Sequence, residues 1–346
     1  MSDRPRSPSC PECQPAGDAS REVSRRGFLT TTAAGIAGLS AVSLPASLLR
    51  AGQPKAGRAA KSETLVGQLY GTLNGEQKQL VAFPFDHELR RKVDNNWYIT
   101  KARVGQHFSG EQQELIREIF VGLHSPEYAD KVIKQVAHDS DSQGLEDCSI
   151  ALFGEPGGGQ FEFVLSGRHV TRRCDGDSVE GAAFGGPIFY GHAAADFNEP
   201  ADHRGNIYWY QARRANELFQ ALDGKQREQA LREDPREEQG TDTVKLSGRK
   251  TGLAGLPVSE LTKDQQELAR KVMADVLAPF RQADVDECLK LVEANGFENL
   301  HFSYFKNLDI GNDGVWDVWQ IEGPATLWYF RGSPHVHTWV HIRESA

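Results

Sequence analysis

The sequence has little positive charge beyond its first 60 residues and no long apolar run after them. The 346 residues carry a net charge of −9; the first 60 hold eight Lys/Arg and four Asp/Glu, so the rest carries −13. An acidic protein is a poor partner for nucleic acid or for an anionic membrane. Because no run of 18 or more strongly apolar residues follows the N-terminal segment, we expect membrane contact only through that segment.

Cysteine is scarce, with five residues in the chain. Cys10 and Cys13 form a CxxC in a polar leader, but no second pair lies nearby, and a structural zinc site needs four ligands. Cys148, Cys174 and Cys288 are far apart in the sequence. We interpret them as three small buried residues, with one disulfide and one free thiol as the alternative.

Several motifs of known chemistry are absent. Neither GxxxxGK[ST] nor GxGxxG occurs, which disfavours nucleotide binding. The glycine-rich stretch 181–187 therefore predicts bulges or close backbone approach. No GxSxG is present either, although a Ser/His/Asp triad assembled from distant residues stays open.

The N-terminal segment carries an export pattern. Arg25-Arg26 is followed by Phe28-Leu29 and then by a mildly apolar run at 31–49, which is typical of a twin-arginine signal. It predicts a protein that uses the twin-arginine export machinery, whose mature form begins after residue 45 and lies in the periplasm or at the cell surface. An uncleaved anchor helix is the alternative. Residues 1–60 are thus interpreted as a disordered leader, a signal and a linker.

Four segments show a capping residue followed three positions later by Gln, the pattern of a capping box at a helix start. They begin at Asn74, Ser109, Asp223 and Thr262. We interpret them as four ordinary helix starts rather than as an internal duplication. The helices predicted from these and other patterns span 76–82, 111–121, 127–138, 207–221, 225–233, 264–280 and 284–295.

Strands are predicted between and after the helices. They span 149–153, 161–165, 168–172, 182–184, 187–190, 300–305, 315–322, 325–330 and 334–342. Grouped helices and strands favour an α+β fold with a largely antiparallel sheet and flanking helices, preceded by the leader and signal. We assign 61–346 to one such domain, and we interpret the polar, Gly-rich stretch 233–259 as a surface excursion.

The last strand carries an unusual set of histidines. Side chains alternate between the two faces of a strand, so His335, His337, Trp339 and His341 share one face. Packing in a core seldom explains three histidines within seven residues. The pattern indicates metal binding or general acid–base chemistry.

The predicted hairpin 161–172 holds a second group. With a two-residue turn at Ser166-Gly167, His169 faces Val164 across the hairpin, and Glu162 shares their face, opposite Phe163. A carboxylate near an imidazole suits a ligand pair, or a base with its orienting acid. A solvated sheet face with a chance Glu and His is the alternative.

Aromatic residues crowd the final strands, where four tryptophans and a tyrosine occur. They are Trp316, Trp319, Trp328, Trp339 and Tyr329. Such a wall could bind a sugar or an aromatic ligand. We prefer aromatic packing within a core as the explanation.

These stretches resemble the domain-of-unknown-function 3500 family over roughly residues 65–342. The matching segments are Phe83-Pro84-Phe85-Asp86, Asn95-Asn96-Trp97, Ser109 to Tyr128, Phe161 to Val170, Ile321-Glu322-Gly323-Pro324 and His335-Val336-His337-Thr338. Arg168 stands where the family pattern has the first of two histidines. The resemblance implies that His169, His335 and His337 belong together and supplies no reaction.

We therefore predict that His169, His335 and His337 converge on one divalent metal ion. Glu162 is the expected fourth ligand or catalytic base and His192 the reserve ligand, whereas His341 should not ligate. Zn²⁺ is the first choice, with Cu or Fe as alternatives. An exported metal-dependent enzyme, such as a hydrolase, is the leading hypothesis. The alternative is a non-catalytic binding protein with the aromatic wall as its platform.

Overall fold

The computed structural model describes residues 59–192, 205–306, 314–332 and 335–346. The twin-arginine segment and the Cys10/Cys13 pair lie outside the described residues, as does nearly all of the predicted leader.

Helices and strands follow one another in the order expected for an α+β fold. The helices are α1 Ala59–Thr72, α2 Gly75–Val81, α3 Val104–His107, α4 Gly110–Gly122, α5 Ala129–Asp139, α6 Tyr210–Ala221, α7 Gly224–Ala230, α8 Lys263–Leu277 and α9 Gln282–Asn295. The strands are β1 Ala82–Phe83, β2 Ser149–Gly154, β3 Phe161–Gly167, β4 Val170–Cys174, β5 Ile188–His192, β6 Leu231–Arg232, β7 Leu256–Pro257, β8 His301–Phe305, β9 Val318–Gly323, β10 Thr326–Arg331 and β11 Val336–Ile342.

All described strands join one open sheet in the order β1-β2-β3-β4-β5-β11-β10-β9-β8-β6, with β7 also paired to β8. Only the pairs β1–β2 and β6–β8 are parallel. The predicted α+β fold with a largely antiparallel sheet is confirmed. One sheet with strands from Ala82 to Ile342 supports a single domain for 61–346, which stays a prediction.

The four capping boxes are present in the structure. In each, the cap side chain accepts the N–H of the Gln three residues later, which satisfies a backbone donor that the helix leaves unpaired. The Gln side chains also pair with each other: Gln77 with Gln112 (Nε2 to Oε1 2.8 Å) and Gln226 with Gln265 (3.0 Å). The four helix starts thus form two equivalent pairs.

This equivalence extends to the order of elements along the described residues. In each half a capped short helix (α2 or α7) runs directly into a two-residue edge strand that pairs in parallel with the next strand of the sheet. In both halves two longer helices follow (α4 and α5, or α8 and α9), then a strand, a hairpin and a last strand; the first half also has the four-residue α3, and the second has the short strand β7. The last strands, β5 and β11, pair antiparallel at the centre of the sheet. This arrangement favours an internal duplication about a two-fold axis between β5 and β11, contrary to the sequence-based interpretation.

The helices pack on one face of the sheet and form the larger core. Trp319 and Trp328 are buried there, with Trp319 stacked on Phe330 at 5.2 Å. The other face carries Trp339 and Tyr329, each no more than 2% exposed, and Trp339 packs on Phe189. Core packing therefore explains these aromatic residues, and they offer no open platform.

The segment predicted as a surface excursion at 233–259 is mostly exposed, and part of it covers the second face of the sheet. Val244 and Thr243 are fully buried there. Val244 packs in the same cluster as Trp339. Although this stretch is mostly polar in composition, a few of its side chains are buried and shield this face of the sheet from water.

Other local differences are small. The sequence patterns did not predict α1, whose Val66 and Leu69 are fully buried. The predicted strand 182–184 is a single 3-10 turn in which Phe184 has a φ of 60°. Cys148, Cys174 and Cys288 are free and buried, as we preferred. Burial raises the pKa of the Cys148 thiol to about 12, so it is protonated at neutral pH.

Candidate metal centre

The hairpin formed by β3 and β4 positions the first histidine. Gly167 pairs with Val170, so the two-residue turn is Arg168-His169 and the expected turn at Ser166-Gly167 is wrong. Ser166 stays in the strand because its buried hydroxyl accepts the Ile99 N–H at 2.8 Å. It also lies 3.1 Å from the Ser149 hydroxyl. These partners outweigh the turn propensity of the Ser-Gly pair.

His169 consequently occupies a turn and not a strand. Its φ is 56°, in the left-handed region that few residues other than glycine adopt. The backbone is held there from both sides: the His169 N–H donates to Asn95 at 2.9 Å, and the His169 carbonyl accepts from Gly191 at 3.1 Å. A strained backbone held this firmly is common at functional sites.

Glu162 and Phe163 point to opposite faces of β3, as predicted, but the structure does not bring Glu162 to the histidines. Glu162 lies five residues before Gly167, about 16 Å along a strand at about 3.3 Å per residue. Its carboxylate is fully buried and bonds to Arg173 and to Arg90, the latter at 3.1 Å. Burial raises the pKa of the Glu162 carboxyl, and both arginines oppose that rise. Glu162 belongs to a buried ion cluster.

The three histidines named from the sequence converge in the structure. The Nε2 atom of His169 lies 3.2 Å from that of His335 and 3.1 Å from that of His337, and the last two are 3.0 Å apart. No ring is more than 3% exposed. The predicted convergence of the hairpin and the final strand is therefore present, and its chemical role stays a prediction.

The triangle of nitrogens has the dimensions of a metal site. With metal–nitrogen bonds of about 2.05 Å, the three Nε2 atoms would hold one divalent ion at near-tetrahedral angles, and a fourth ligand would come from outside the three histidines. Arg331 Nη2 also lies 3.0 Å from His337 Nε2. Three protein ligands with an open fourth position are typical of catalytic zinc sites.

Carboxylates stand behind two of the imidazoles. The Oδ2 atom of Asp139 lies 2.9 Å from His169 Nδ1, and Oε2 of Glu238 lies 2.6 Å from His337 Nδ1. A carboxylate that accepts from Nδ1–H would favour the tautomer whose Nε2 can bind a metal, and it would make the imidazole a stronger metal ligand. Sequence patterns missed both residues. Asp139 ends α5 beside another histidine, whereas Glu238 lies in a charged run with no distinguishing signal.

Burial, helped by nearby positive charge, keeps His335 and His337 neutral. Burial is the largest cause that lowers the pKa values of His335 and His337 well below the ordinary range. The charges of Arg331 and Arg168 lower both further. Arg331 Nη2 lies 2.7 Å from His337 Nδ1. Neutral imidazole is the form that binds metal.

The remaining histidines of this region lie outside the cluster. His341 donates from Nδ1 to the Val244 carbonyl at 2.8 Å, and burial lowers its pKa to about 4. His192 ends β5 and stacks against His138, with ring centroids 5.0 Å apart. His192 therefore belongs to a neighbouring group with His138 and Asp139, whose ligand atoms lie within 4.8 Å of one another.

This protein is of the α+β class and has a buried three-histidine cluster at the centre of its sheet. The chain belongs to the family described as "Protein of unknown function (DUF3500)", whose model matches residues 56–344. The resemblance inferred from the histidine motifs is thus confirmed. Searches of curated proteins and of solved structures find no match. Every helix among the described residues is too short or too polar to cross a membrane.

Proposed function

We propose that this protein is an exported metal-dependent enzyme, and specifically a hydrolase, whose divalent ion is held by His169, His335 and His337. Zn²⁺ is the preferred ion because three imidazoles near tetrahedral spacing match its chemistry, and Cu or Fe are the alternatives. The single observation that carries the proposal is the mutual spacing of the three Nε2 atoms, 3.0–3.2 Å.

The residues around the cluster support a catalytic role. Asp139 and Glu238 orient two ligands from behind. Bound zinc supplies a Lewis acid and lowers the pKa of a bound water to about 7. Arg331 and Arg168 add positive charge beside the cluster, so an ester or phosphoester substrate with its own negative charge would be favoured there.

Glu162 takes no part in this proposal. The sequence suggested it as the base, but its carboxylate is held by Arg173 and Arg90 in a separate cluster. Non-catalytic ligand binding is the weaker candidate, because Trp319, Trp328 and Trp339 are buried in the two cores and Trp316 is partly buried against the larger one.

The decisive experiment is elemental analysis of protein purified without an affinity tag or chelator. We expect stoichiometric metal in the wild type and a loss of about one equivalent in His335→Ala. The matched control is His107→Ala, which removes an exposed histidine of α3. Equal metal content in the wild type and in His335→Ala would contradict the proposal that the three histidines bind a metal.

The hydrolase assignment has its own test. Apo-protein reloaded with Zn²⁺ is assayed against chromogenic carboxylic esters and phosphoesters, with His335→Ala as the inactive reference. Hydrolysis that depends on both the metal and His335 supports the assignment. Full metal loading with no hydrolysis of either ester class would favour the binding alternative.

Export is the remaining part of the proposal and rests on the Arg25-Arg26 pattern. Changing both arginines to lysine should hold precursor in the cytoplasm, as measured by fractionation and immunoblotting. Unchanged export of this variant would contradict the twin-arginine route.

A further inference from the structure

A second group of metal-binding side chains lies beside the three-histidine cluster. His138 and Asp139 are the last two residues of α5, and His192 is the last residue of β5. Each offers one ligand atom, and these atoms lie within 4.8 Å of one another. His138 is exposed, whereas the other two are at least 97% buried.

We propose that His138, Asp139 and His192 form a second binding site for a divalent first-row metal ion. Two imidazoles and one carboxylate are a ligand set that such ions accept, with water completing the coordination. The exposed His138 would keep this site open to solvent. The site is distinct from the three-histidine cluster, because none of its three residues belongs to that cluster.

The spacing of the rings supports this assignment. The ring centroids of His138 and His192 are 5.0 Å apart. Within the three-histidine cluster, the corresponding separations are 4.9, 5.0 and 4.7 Å. The rings of His138 and His192 are stacked at 21°, whereas those of the cluster meet at 50° to 80°. Because a ring nitrogen binds metal in the plane of its ring, the exposed His138 ring must rotate for both imidazoles to bind one ion. Two imidazoles bound to one ion at about 2.05 Å, with near-tetrahedral angles, place their centroids at about this distance.

The position of the group on α5 gives a second reason. The C-terminus of a helix carries a partial negative charge that favours cations. His138 and Asp139 occupy this end of the eleven-residue α5. The helix end and the Asp139 carboxylate therefore both contribute negative potential where the ion would lie.

Asp139 also connects the two sites. Its Oδ2 atom accepts from Gln135 at 2.7 Å and lies 2.9 Å from His169 Nδ1. The carboxylate is thus fixed from two sides and stands between the second site and a ligand of the first. An ion bound at the second site would take part of the negative charge of the Asp139 carboxylate, which otherwise acts on His169. We therefore expect each ion to lower the affinity of the protein for the other.

The experiment is titration of apo-protein with Co²⁺ and Zn²⁺, followed by calorimetry and by the visible spectrum of bound Co²⁺. We expect about two equivalents in the wild type, the second binding more weakly because one ligand is exposed. His138→Phe keeps an aromatic ring against His192 but cannot ligate, and it should bind about one equivalent. His138→Ala should behave in the same way, and His107→Ala should retain both.

The outcomes separate this inference from the proposed function. If His335→Ala binds one equivalent and the double variant His335→Ala/His138→Phe binds none, both sites are real. A wild type that binds one equivalent, lost in His335→Ala but kept in His138→Phe, would overturn the second site alone. One equivalent lost in His138→Phe but kept in His335→Ala would support the second site and refute the first. Two equivalents in His138→Phe would also overturn the second site.

Discussion

The two halves of the sheet share a backbone plan but differ in the side chains at their hairpins. In the first half the Gly191 N–H donates to the carbonyl of His169, in the β3–β4 turn, at 3.1 Å. In the second half the Arg343 N–H donates to the carbonyl of Ala325, in the β9–β10 turn, at 2.9 Å. His169 and Ala325 are therefore equivalent positions, and only one of them carries a metal-binding group.

The side chains that surround the two turns also differ. Beside the first turn, the start of β11 supplies His335 and His337. Beside the second, the start of β5 borders a cavity of about 580 Å³. Its cationic and imidazole lining consists of Arg90, Arg91, Lys245, His341 and Arg343. A duplicated scaffold thus fixes where a site can form, whereas a few side chains decide its chemistry.

The largest effect is expected when the first turn receives the residue of the second, that is, when His169 is replaced by alanine. His169→Ala should abolish binding at the three-histidine cluster, because two imidazoles two residues apart on one strand cannot complete the site alone. At metal concentrations about 1,000-fold above Kd, the lost linkage amounts to about 4 kcal/mol of unfolding free energy. Metal content and thermal unfolding with and without metal are the measurements.

His169→Asn is the control for folding in that experiment, because Asn tolerates the left-handed backbone better than Ala does. The reciprocal change, Ala325→His, should create no new site, since neither histidine group found among the described residues lies at the second turn. Unaltered metal binding by both His169 variants would show that the two turns do not differ in the way inferred here.

Glu162 provides a test of stability that is separate from the metal. Glu162→Gln leaves Arg173 buried without its counter-charge, and breaking a buried pair costs about 3–5 kcal/mol. We expect a large loss in denaturant midpoint with unchanged metal stoichiometry. A stable variant with reduced metal content would instead restore Glu162 to the site.

The carboxylate behind His337 should have a smaller effect. Glu238→Gln keeps the shape of the side chain and weakens the contact with His337 Nδ1. Loss of such an outer partner lowers metal affinity by about 10- to 100-fold. Competition with a calibrated chelator measures the change, and Glu237→Gln, the adjacent residue, is the matched control. An affinity within about twofold of wild type would deny Glu238 this role.

The smallest predicted effect concerns the equivalent capping boxes. Gln77→Ala and Gln226→Ala remove the same hydrogen bonds in the two halves. Each should cost about 0.5–1.5 kcal/mol per hydrogen bond lost. Urea unfolding should give similar losses for the two variants. A difference well beyond that range would show that the halves, although alike in plan, are not alike in energy.

Local patterns explain why much of the fold could be predicted from the sequence. A capping box involves residues three apart, and strand alternation fixes the face of every second side chain. The four helix starts, the opposite faces of Glu162 and Phe163, and the grouping of His335 with His337 all follow from such rules. The family motif added His169 to that pair.

The errors arose where distant residues decide the structure. Ser166 stays in its strand because Ser149 and the Ile99 N–H satisfy its hydroxyl, and neither contact is visible in the hairpin sequence. Asp139 and Glu238 reach the histidines from a helix end and a covering loop. Sequence spacing carries no information about such approaches across the fold.

The antiparallel pairing of β5 with β11 has a consequence for how the protein could be assembled. His169 belongs to the first half of the chain and His335 and His337 to the second, so the cluster forms only when the halves meet. We expect the pairing of β5 with β11 to bring the halves together without a covalent link. Chains divided between residues 192 and 205 should therefore complement each other, and metal would act as the reporter of correct association.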